Sequence, residues 1–182
     1  MDESTGLLLS ALRFAAEKHK DQRRKGADAS PYVNHLIQVA ETLWTVGNVR
    51  DATLLVASIL HDTLEDTDAT SAEIRAQFGE EVLALVLEVT DDRSLSQKER
   101  KQLQVETASH KSPKAKLLKI ADKISNVQDI ITSPPKTWSQ ERKQEYLSWT
   151  ERVVTGLRGE NENLERYYDD LLTKGRQLLG ME

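Results

Sequence analysis

The residues best suited to chemistry in this sequence are four polar side chains at the end of an apolar run. Residues 54–60, LLVASIL, lead directly into a cluster made of His61, Asp62, Glu65 and Asp66. On a helix, residues three or four apart lie on neighbouring rows, so we expect these side chains on one helical surface. Burying an imidazole and carboxylates beside aliphatic surface is costly unless a partner compensates their charge. A divalent metal ion would supply that compensation, because it accepts both ligand types.

A plainer interpretation is a solvated acidic turn at a helix C-terminus. It is unfavourable because carboxylates at that end face the negative pole of the helix dipole, a cost that a nearby cation reverses. His61 and Asp62 cannot complete a metal site alone, and two more residues are candidates. His35 lies on the inward side of its predicted helix, and Asp122 directly follows the apolar run in KLLKIAD. Singly, the first would be a hydrogen-bonded core histidine and the second a salt bridge to Lys123 or an arginine.

Together, two imidazoles and two carboxylates make a sound ligand set for a divalent ion with water at its open positions. Such an ion activates water and offsets charge that builds up on a phosphate. Glu65, one turn beyond His61, is near enough to orient or deprotonate that water, and Asp66 can share the proton or support a ligand. We assign no single base within the pair, because close carboxylates titrate together.

Helices must position these residues, because no convincing strand run appears. The helix predicted over residues 52–65 is apolar nearly all round, which places it at the centre of the fold. Asp51 is suited to cap it, and TSAE at 70–73 fits a capping box. Hydrophobic periodicity and Gly or Pro breaks predict further helices over 4–20, 31–43, 70–79, 80–90, 95–109, 113–131, 138–157 and 161–179. With no linker or repeat, the sequence predicts one all-α domain over residues 1–182.

Composition narrows the class of protein. A chain of 182 residues that is 38% hydrophobic and 30% charged can bury a sizeable core. The lack of cysteine excludes thiolate nucleophiles and Cys-ligated zinc. A net charge of −5 argues against a nucleic-acid-binding surface but permits a local basic site for one nucleotide. No segment has membrane-spanning length or the pattern of a secretory leader, so we expect a cytoplasmic protein without a membrane partner.

The order of the candidate ligands, His…His-Asp…Asp, resembles the signature of the HD phosphohydrolase superfamily. Three segments closely resemble the hydrolase domain of RelA/SpoT-type alarmone enzymes: QRRKGADASPYVNHLIQVA, ILHDTLEDT and LLKIADKISN. VTDD, ERKQLQVE and QEYLSW are similar to the small, hydrolase-only branch related to the metazoan SpoT homologue. The resemblance runs over residues 7–157 without a large gap.

This resemblance implies an HD-domain helical bundle with a metal site at its centre. The implied reaction is Mn²⁺-dependent hydrolysis of the 3′-pyrophosphate of (p)ppGpp, which gives GDP or GTP and pyrophosphate. The positions that match the manganese ligands of the family, one ion per site, are His35, His61, Asp62 and Asp122. Glu65 and Asp66 match the pair that the family needs for hydrolysis. Long relatives add a synthetase, so we expect degradation of the alarmone without synthesis.

The nucleotide contacts implied by the family fall on Arg24, Lys25 and Asn126. Without the family, the RRK segment at 23–25 would be interpreted as solvated surface. Tyr32 is a further candidate for the substrate site, which core packing explains equally well. Arg142 and Tyr146 are also candidates, although a stripe of this spacing with Trp138 is usually core, with Arg142 at its exposed edge. His19 is interpreted as a buried, hydrogen-bonded histidine and not as a ligand. Lys98, Arg100 and Lys101 are interpreted as surface charge, with contact to phosphate as the less favoured alternative.

Two other functions stay open. The same metal chemistry could act on another nucleotide, notably the 2′-phosphate of NADPH, since NADPH and ppGpp both carry phosphate on the ribose of a purine nucleotide. A non-catalytic alarmone-binding protein on the same fold is the third hypothesis, and the intact HD, ED and distal Asp argue against it. The sequence leaves open the metal used in the cell and the choice between ppGpp and pppGpp. It is also compatible with a homo-oligomer.

Overall fold

The computed structural model describes residues 3–181, so the ends of the predicted domain at Met1, Asp2 and Glu182 lie outside the described residues. Within that range the secondary structure is helical apart from an isolated bridge between Arg23 and Pro31. The α-helices are α1 (Glu3–Lys18), α2 (Val33–Thr45), α3 (Ala52–Leu60), α4 (Thr63–Asp66), α5 (Ser71–Phe78), α6 (Glu80–Val89), α7 (Gln97–Thr107), α8 (Pro113–Thr132), α9 (Gln140–Leu157) and α10 (Glu162–Leu178). A 3₁₀ turn, Ala108–His110, lies between α7 and α8. The predicted all-α class is confirmed.

Two helices form the centre of the bundle. Every residue of α3 from Leu54 to Leu60 is buried, as expected for a helix that is apolar all round. Helix α8 packs against α2, α3, α6, α9 and α10, and it buries Asp122 together with its aliphatic side chains. Helix α8 therefore carries the distal candidate ligand, Asp122, and α3 ends directly before His61. None of the helices within residues 3–181 combines the length and apolar character that crossing a bilayer requires.

The caps predicted from the sequence are present. The Asp51 side chain accepts from the amide of Leu54 at 3.0 Å, and Thr70 with Glu73 forms the capping box of α5. Three helices begin two residues later than predicted, and one of them, α7, begins at Gln97 behind an N-cap at Ser96. Helix α2 begins at Val33 because Pro31 is engaged in the bridge with Arg23, and α9 begins at Gln140 behind an N-cap at Ser139.

The prediction of one continuous helix over residues 52–65 is wrong. Helix α3 ends at Leu60 and the short α4 begins at Thr63, so His61 and Asp62 lie in the turn between them. The Ser58 carbonyl, which a continuing helix would offer to the amide of residue 62, lies 2.8 Å from the Nδ1 atom of His61. The side chain of His61 thus takes an acceptor from the helical ladder, which accounts for the break.

The break has a consequence for the geometry of the site. Adjacent residues on a continuous helix do not face each other. At this turn, the Nε2 atom of His61 and the Oδ2 atom of Asp62 approach to 3.1 Å. The interruption therefore brings together two neighbours that a regular helix would hold apart.

Candidate metal centre and substrate cleft

Side chains from three parts of the bundle converge at one point. His35 comes from α2, His61 and Asp62 from the turn after α3, and Asp122 from α8. The Nε2 atom of His35 lies 3.3 Å from Asp122 Oδ1 and 3.6 Å from Asp62 Oδ2. The Nε2 atom of His61 lies 3.9 Å from Asp122 Oδ1. The structure thus places all four predicted ligands around one gap, which we call the His/Asp cluster.

Hydrogen bonds on the far side of each imidazole fix which nitrogen faces the gap. The Nδ1 atom of His61 lies against a carbonyl, which only accepts, so Nδ1 carries the hydrogen. The Nδ1 atom of His35 lies 2.9 Å from the Ser125 hydroxyl, which itself donates to Gln38 Oε1 at 2.7 Å. Ser125 therefore accepts from His35. Both Nε2 lone pairs point toward the gap, which is how metal-ligating histidines are usually held.

The Nε2 atom of His61 is buried and makes no hydrogen bond within residues 3–181, although Asp62 Oδ2 is close by. Lone pairs and carboxylate oxygens that face each other repel unless a cation or a proton lies between them. The ligand atoms of His35, His61 and Asp62 all lie within 4.8 Å of one another, a spacing that one ion can span. The donor set and its geometry fit a divalent metal.

Electrostatics in the cluster favour ionised carboxylates and a neutral His35, but not a neutral His61. Burial raises the pKa of the Asp62 carboxyl, but its interactions with His61 and His35 together outweigh burial, and the pKa is lowered overall. Burial likewise opposes a low pKa at Asp122, where Lys123, at 2.9 Å, leads the groups that depress it. Burial lowers the pKa of His35, which favours the neutral imidazole that a metal requires. For His61, burial acts in the same direction but the charge of Asp62 raises the pKa.

A second set of side chains supports the ligands. The Tyr32 hydroxyl donates to Asp62 Oδ2 at 2.6 Å, and the Asn126 amide donates to Asp122 Oδ1 at 2.6 Å. Both residues were predicted as substrate contacts, and the structure shows each of them hydrogen-bonded to a cluster carboxylate. A metal ligand whose own oxygens are hydrogen-bonded is held in a defined orientation.

Arg24 is fixed beside this support. Its guanidinium donates to Asp129 at 2.7 and 2.9 Å and to Asn126 Oδ1 at 2.8 Å, and it lies over the Tyr32 ring at 5.4 Å. The loop that carries it is closed against the end of α8, because a Cβ atom on Gly26 would lie 2.6 Å from the Ser133 carbonyl. Gly26 therefore permits a close approach, and the loop is less free than its glycine suggests. Lys25 is exposed on the same loop.

The two predicted catalytic carboxylates lie on α4 and have different partners. Glu65 accepts from the amide of Asp91 at 3.1 Å, and burial raises the pKa of its carboxyl. Asp66 Oδ2 accepts from the Gln22 amide at 2.9 Å, and Asp66 Oδ1 accepts from Arg93 at 3.0 Å. Each carboxylate is thus oriented by donors from another part of the chain.

A cleft of about 1220 Å³ lies beside the His/Asp cluster. Its lining includes Asp66 and the two residues that bond to cluster carboxylates, Tyr32 and Asn126, but not the four cluster residues or Glu65. Lys25, Arg142 and Tyr146, which were predicted to contact substrate, also line it. Cationic side chains outnumber carboxylates along the lining, with Arg23, Arg24, Lys25, Arg93, Lys98, Lys101, Arg142 and Arg152 against Asp66, Asp129, Glu141 and Glu145. The cleft is therefore locally basic although the chain as a whole is acidic, and a basic cleft suits a polyanionic ligand.

One wall of the cleft is aromatic. The Tyr146 ring packs between Trp138 and Trp149 at centroid distances of 5.4 and 5.2 Å. The Lys101 ammonium lies 4.7 Å from the Trp149 ring and 5.2 Å from the Tyr146 ring, and burial lowers its pKa. Arg142 covers the Trp138 ring at 4.5 Å. Burial also raises the pKa of Tyr146 to about 12, so its hydroxyl keeps its hydrogen at neutral pH.

Sequence reasoning missed several of these groups. Lys98 and Lys101 were interpreted as surface charge, yet both line the cleft. Trp149 follows Tyr146 by three residues, so the helical spacing of the α9 stripe contained a signal for it. Gln22 and Arg93 gave no signal, because their contacts with Asp66 depend on how distant segments fold together. His19 was interpreted as buried and hydrogen-bonded, and the structure confirms both features.

Comparisons with known proteins agree with this geometry. A family model described as "HD domain" matches residues 11–149. A relative from Xenopus tropicalis, "Guanosine-3′,5′-bis(diphosphate) 3′-pyrophosphohydrolase MESH1", is 48% identical over 171 residues, which cover 94% of this chain and 96% of the relative. The Homo sapiens protein of the same name is 49% identical over 165 residues, 91% of this chain and 92% of its own.

A solved structure also matches along most of the chain. It is described as a metazoan orthologue of SpoT that hydrolyses ppGpp, and it superposes with a TM-score of 0.90 at 44% identity. The match covers 92% of this chain and 94% of that one. The predicted family is confirmed, and the chain belongs to the HD-domain family, within the MESH1 group.

Proposed function

We propose that this protein is a metal-dependent hydrolase that removes the 3′-pyrophosphate of ppGpp or pppGpp, giving GDP or GTP and pyrophosphate. The observation that carries the proposal is the His/Asp cluster beside a basic cleft, in a chain 48% identical to a relative named for this reaction. The solved structure described as a metazoan SpoT orthologue that hydrolyses ppGpp supports the same activity.

We propose Mn²⁺ as the resident ion, held by His35, His61, Asp62 and Asp122. Nitrogen and oxygen ligands without thiolate suit manganese among the divalent metals. When bound, the ion would activate water and offset the charge that develops on the phosphate. The orphaned Nε2 atom of His61 is the feature of this chain that most directly calls for such an ion.

The α4 carboxylates act on the attacking water. Glu65 follows the cluster by one turn, and its raised pKa makes it a better proton acceptor than an ordinary exposed glutamate. Asp66 lines the cleft, with each oxygen already facing one donor, so it can orient the water or share its proton. Substitution of either carboxylate by its amide is expected to reduce turnover strongly.

The cationic and aromatic lining of the cleft binds the nucleotide. Arg24 and Lys25 lie on the loop beside the cluster, where guanidinium and ammonium groups meet phosphate or stack on a purine. Arg142 and Tyr146 lie on the opposite aromatic wall, within reach of phosphate or sugar. Asn126, bonded to both Asp122 and Arg24, couples the metal centre to this substrate side.

The whole chain of residues 1–182 is proposed to act as one domain, because α10 packs along α8 and α9 and so closes the bundle. A cytoplasmic location and a homo-oligomeric state stay predictions from the sequence.

A product assay tests the proposed function. Metal-free protein is reconstituted with Mn²⁺ and incubated separately with ppGpp, pppGpp, NADPH and a panel of deoxynucleoside triphosphates, with a chelated sample and Glu65→Gln as controls. We expect equal amounts of GDP and pyrophosphate from ppGpp, with both controls inactive.

Two results would replace the proposal. Phosphate release from NADPH with a rate constant rivalling pyrophosphate release from ppGpp would make the protein a nucleotide phosphatase that uses the same site. Binding of ppGpp without turnover in Mn²⁺ would make it an alarmone-binding protein.

A further inference from the structure

A chain of hydrogen bonds runs from the end of α1 to the Asp66 carboxylate. His19, which is 2% exposed, places its Nδ1 atom 2.5 Å from Gln22 Oε1. Gln22 Nε2 in turn donates to Asp66 Oδ2 at 2.9 Å. The chain thus ends on one of the two carboxylates proposed to handle water. We call His19 and Gln22 the α1 relay.

The chemistry of the partners fixes the direction of every bond in the α1 relay. An ionised carboxylate only accepts, so the NH₂ group of Gln22 must face Asp66 and its carbonyl oxygen must face His19. His19 must therefore carry its hydrogen on Nδ1. The remaining Nε2 atom is buried and has no hydrogen-bond partner within residues 3–181.

The same imidazole also supports the metal centre. The His19 ring stacks on the Tyr32 ring, with centroids 5.0 Å apart and planes inclined by 17°. The Tyr32 hydroxyl donates to Asp62, a proposed metal ligand. His19 therefore supports two separate parts of the site: Asp66 through Gln22, and Asp62 through Tyr32.

Asp66 has two hydrogen-bond donors, Gln22 and Arg93, and the exposed Arg93 cannot by itself keep the carboxylate in place. Arg93 holds Oδ1, but its side chain is 57% exposed and lines the cleft, where an incoming phosphate competes for it. The α1 relay does not depend on that competition. A group that orients water or takes its proton must be held in place when substrate binds.

We infer that His19 and Gln22 are positioning residues that hold the Asp66 carboxylate in its working orientation through the Gln22 amide. The inference rests on the proposed hydrolysis and on a role for Asp66 in it. Gln22 acts directly on Asp66, whereas His19 acts through Gln22.

Three substitutions separate the steps. Gln22→Met keeps length and flexibility but removes both amide atoms. His19→Phe keeps a ring that can stack on Tyr32 but removes the donor, whereas His19→Asn keeps a donor at the δ position and removes the ring. Lys18→Gln is the matched control, because it disturbs the neighbouring residue by breaking surface ion pairs to Asp68 and Glu73 at 3.1 and 3.0 Å.

Steady-state hydrolysis of ppGpp is measured for each variant with Mn²⁺, together with Mn²⁺ affinity and melting temperature. We expect Gln22→Met to lower kcat by about 10–100-fold, the range for residues that orient a site group. KM and metal affinity should stay at wild-type values. His19→Phe should show a smaller loss of the same kind, His19→Asn should regain most of it, and Lys18→Gln should match wild type.

Coupling between the two residues distinguishes positioning from packing. The double variant His19→Phe/Gln22→Met should lose no more kcat than Gln22→Met alone, because the two residues act in series. Losses that multiply would overturn the inference, as would wild-type kcat in Gln22→Met. A raised KM with unchanged kcat would make Gln22 a substrate contact and would also overturn it.

A measurement on the unaltered protein covers the case in which a variant fails to fold. The ¹⁵N shifts of the His19 ring should show hydrogen on Nδ1, and a ring with hydrogen on Nε2 alone would refute the α1 relay. Wild-type protein that fails to hydrolyse ppGpp would instead refute the proposed function. Wild-type turnover equalled by Gln22→Met would refute the positioning role alone.

Discussion

The hydroxyl of Ser125 decides which nitrogen of His35 carries hydrogen, and its removal should weaken metal binding. Ser125 donates to Gln38 and so must accept from His35 Nδ1, which leaves the Nε2 lone pair free to face the gap in the His/Asp cluster. Ser125→Ala removes that acceptor without adding volume. We predict that the variant folds but binds Mn²⁺ more weakly than wild type.

The size of the effect follows from the tautomers. Without Ser125, hydrogen on Nδ1 of His35 has no acceptor, whereas hydrogen on Nε2 faces Asp122 Oδ1 at 3.3 Å. The metal then has to displace that hydrogen. A buried donor left unsatisfied costs about 1–3 kcal/mol, which corresponds to about 5–150-fold in a binding constant. Losses of partners that orient metal-bound histidines span about 10–100-fold, so we expect Mn²⁺ affinity to fall within that range.

The assay is calorimetric titration of metal-free protein with Mn²⁺, checked by the Mn²⁺ dependence of turnover. Ser58→Ala is a matched control, because both serines are 0% exposed and both lie against a histidine of the cluster. Among residues 3–181, the side chain of Ser58 bonds to the Leu55 carbonyl alone, and it is the backbone carbonyl of Ser58 that accepts from His61. Equal Mn²⁺ affinity in wild type and Ser125→Ala would refute the tautomer argument, as would an equal loss in Ser58→Ala.

Three further predictions concern the reaction. Chelation should abolish release of pyrophosphate and Mn²⁺ should restore it, measured by a pyrophosphate-coupled assay; turnover that survives chelation would contradict the metal role. Glu65 must be ionised to accept a proton, and the Asp91 charge adds to the effect of burial in raising its pKa. Asp91→Asn should therefore move the acid limb of the pH–rate profile to lower pH, and a shift to higher pH would contradict the assignment. Asn126→Ala removes hydrogen bonds to Asp122 and Arg24. It should raise KM for ppGpp and weaken Mn²⁺ binding, each by about tenfold, because each lost hydrogen bond has a charged partner. An unchanged KM together with unchanged Mn²⁺ affinity would show that Asn126 does not couple the metal centre to the substrate side.

The central helices could be predicted from the sequence because their patterns are local. The apolar run before His61 identified a buried helix, and Asp51 and Thr70 identified where helices begin. The break after Leu60 could not be predicted, because it depends on His61 turning its own imidazole back onto a backbone carbonyl. Helical periodicity correctly grouped His61, Asp62, Glu65 and Asp66, but it placed them on one continuous helix, whereas the structure divides them between a turn and α4.

The ligands were recognisable and their supporting groups were not. His35, His61, Asp62 and Asp122 stand out as polar residues in apolar segments, and that is a local signal. Ser125 and Gln22 are ordinary polar residues in the sequence. Their roles come from contacts across 90 and 44 positions of the chain, to His35 and Asp66 respectively. Spacing on one helix contains no information about such pairs.

The charge of the whole chain proved a poor guide to the charge of its cleft. A net charge of −5 argued against a nucleic-acid-binding surface but permitted a local basic site, and cations do line the cleft beside the His/Asp cluster. At physiological ionic strength charges are screened within about 8 Å, so distant surface carboxylates hardly affect a bound phosphate. What acts on the ligand is the local balance, and there the carboxylate of Asp129 is already neutralised by Arg24 at 2.7 Å. Excess acid elsewhere therefore does not oppose nucleotide binding, and the sign of a ligand has to be inferred from the residues within a screening length of its site.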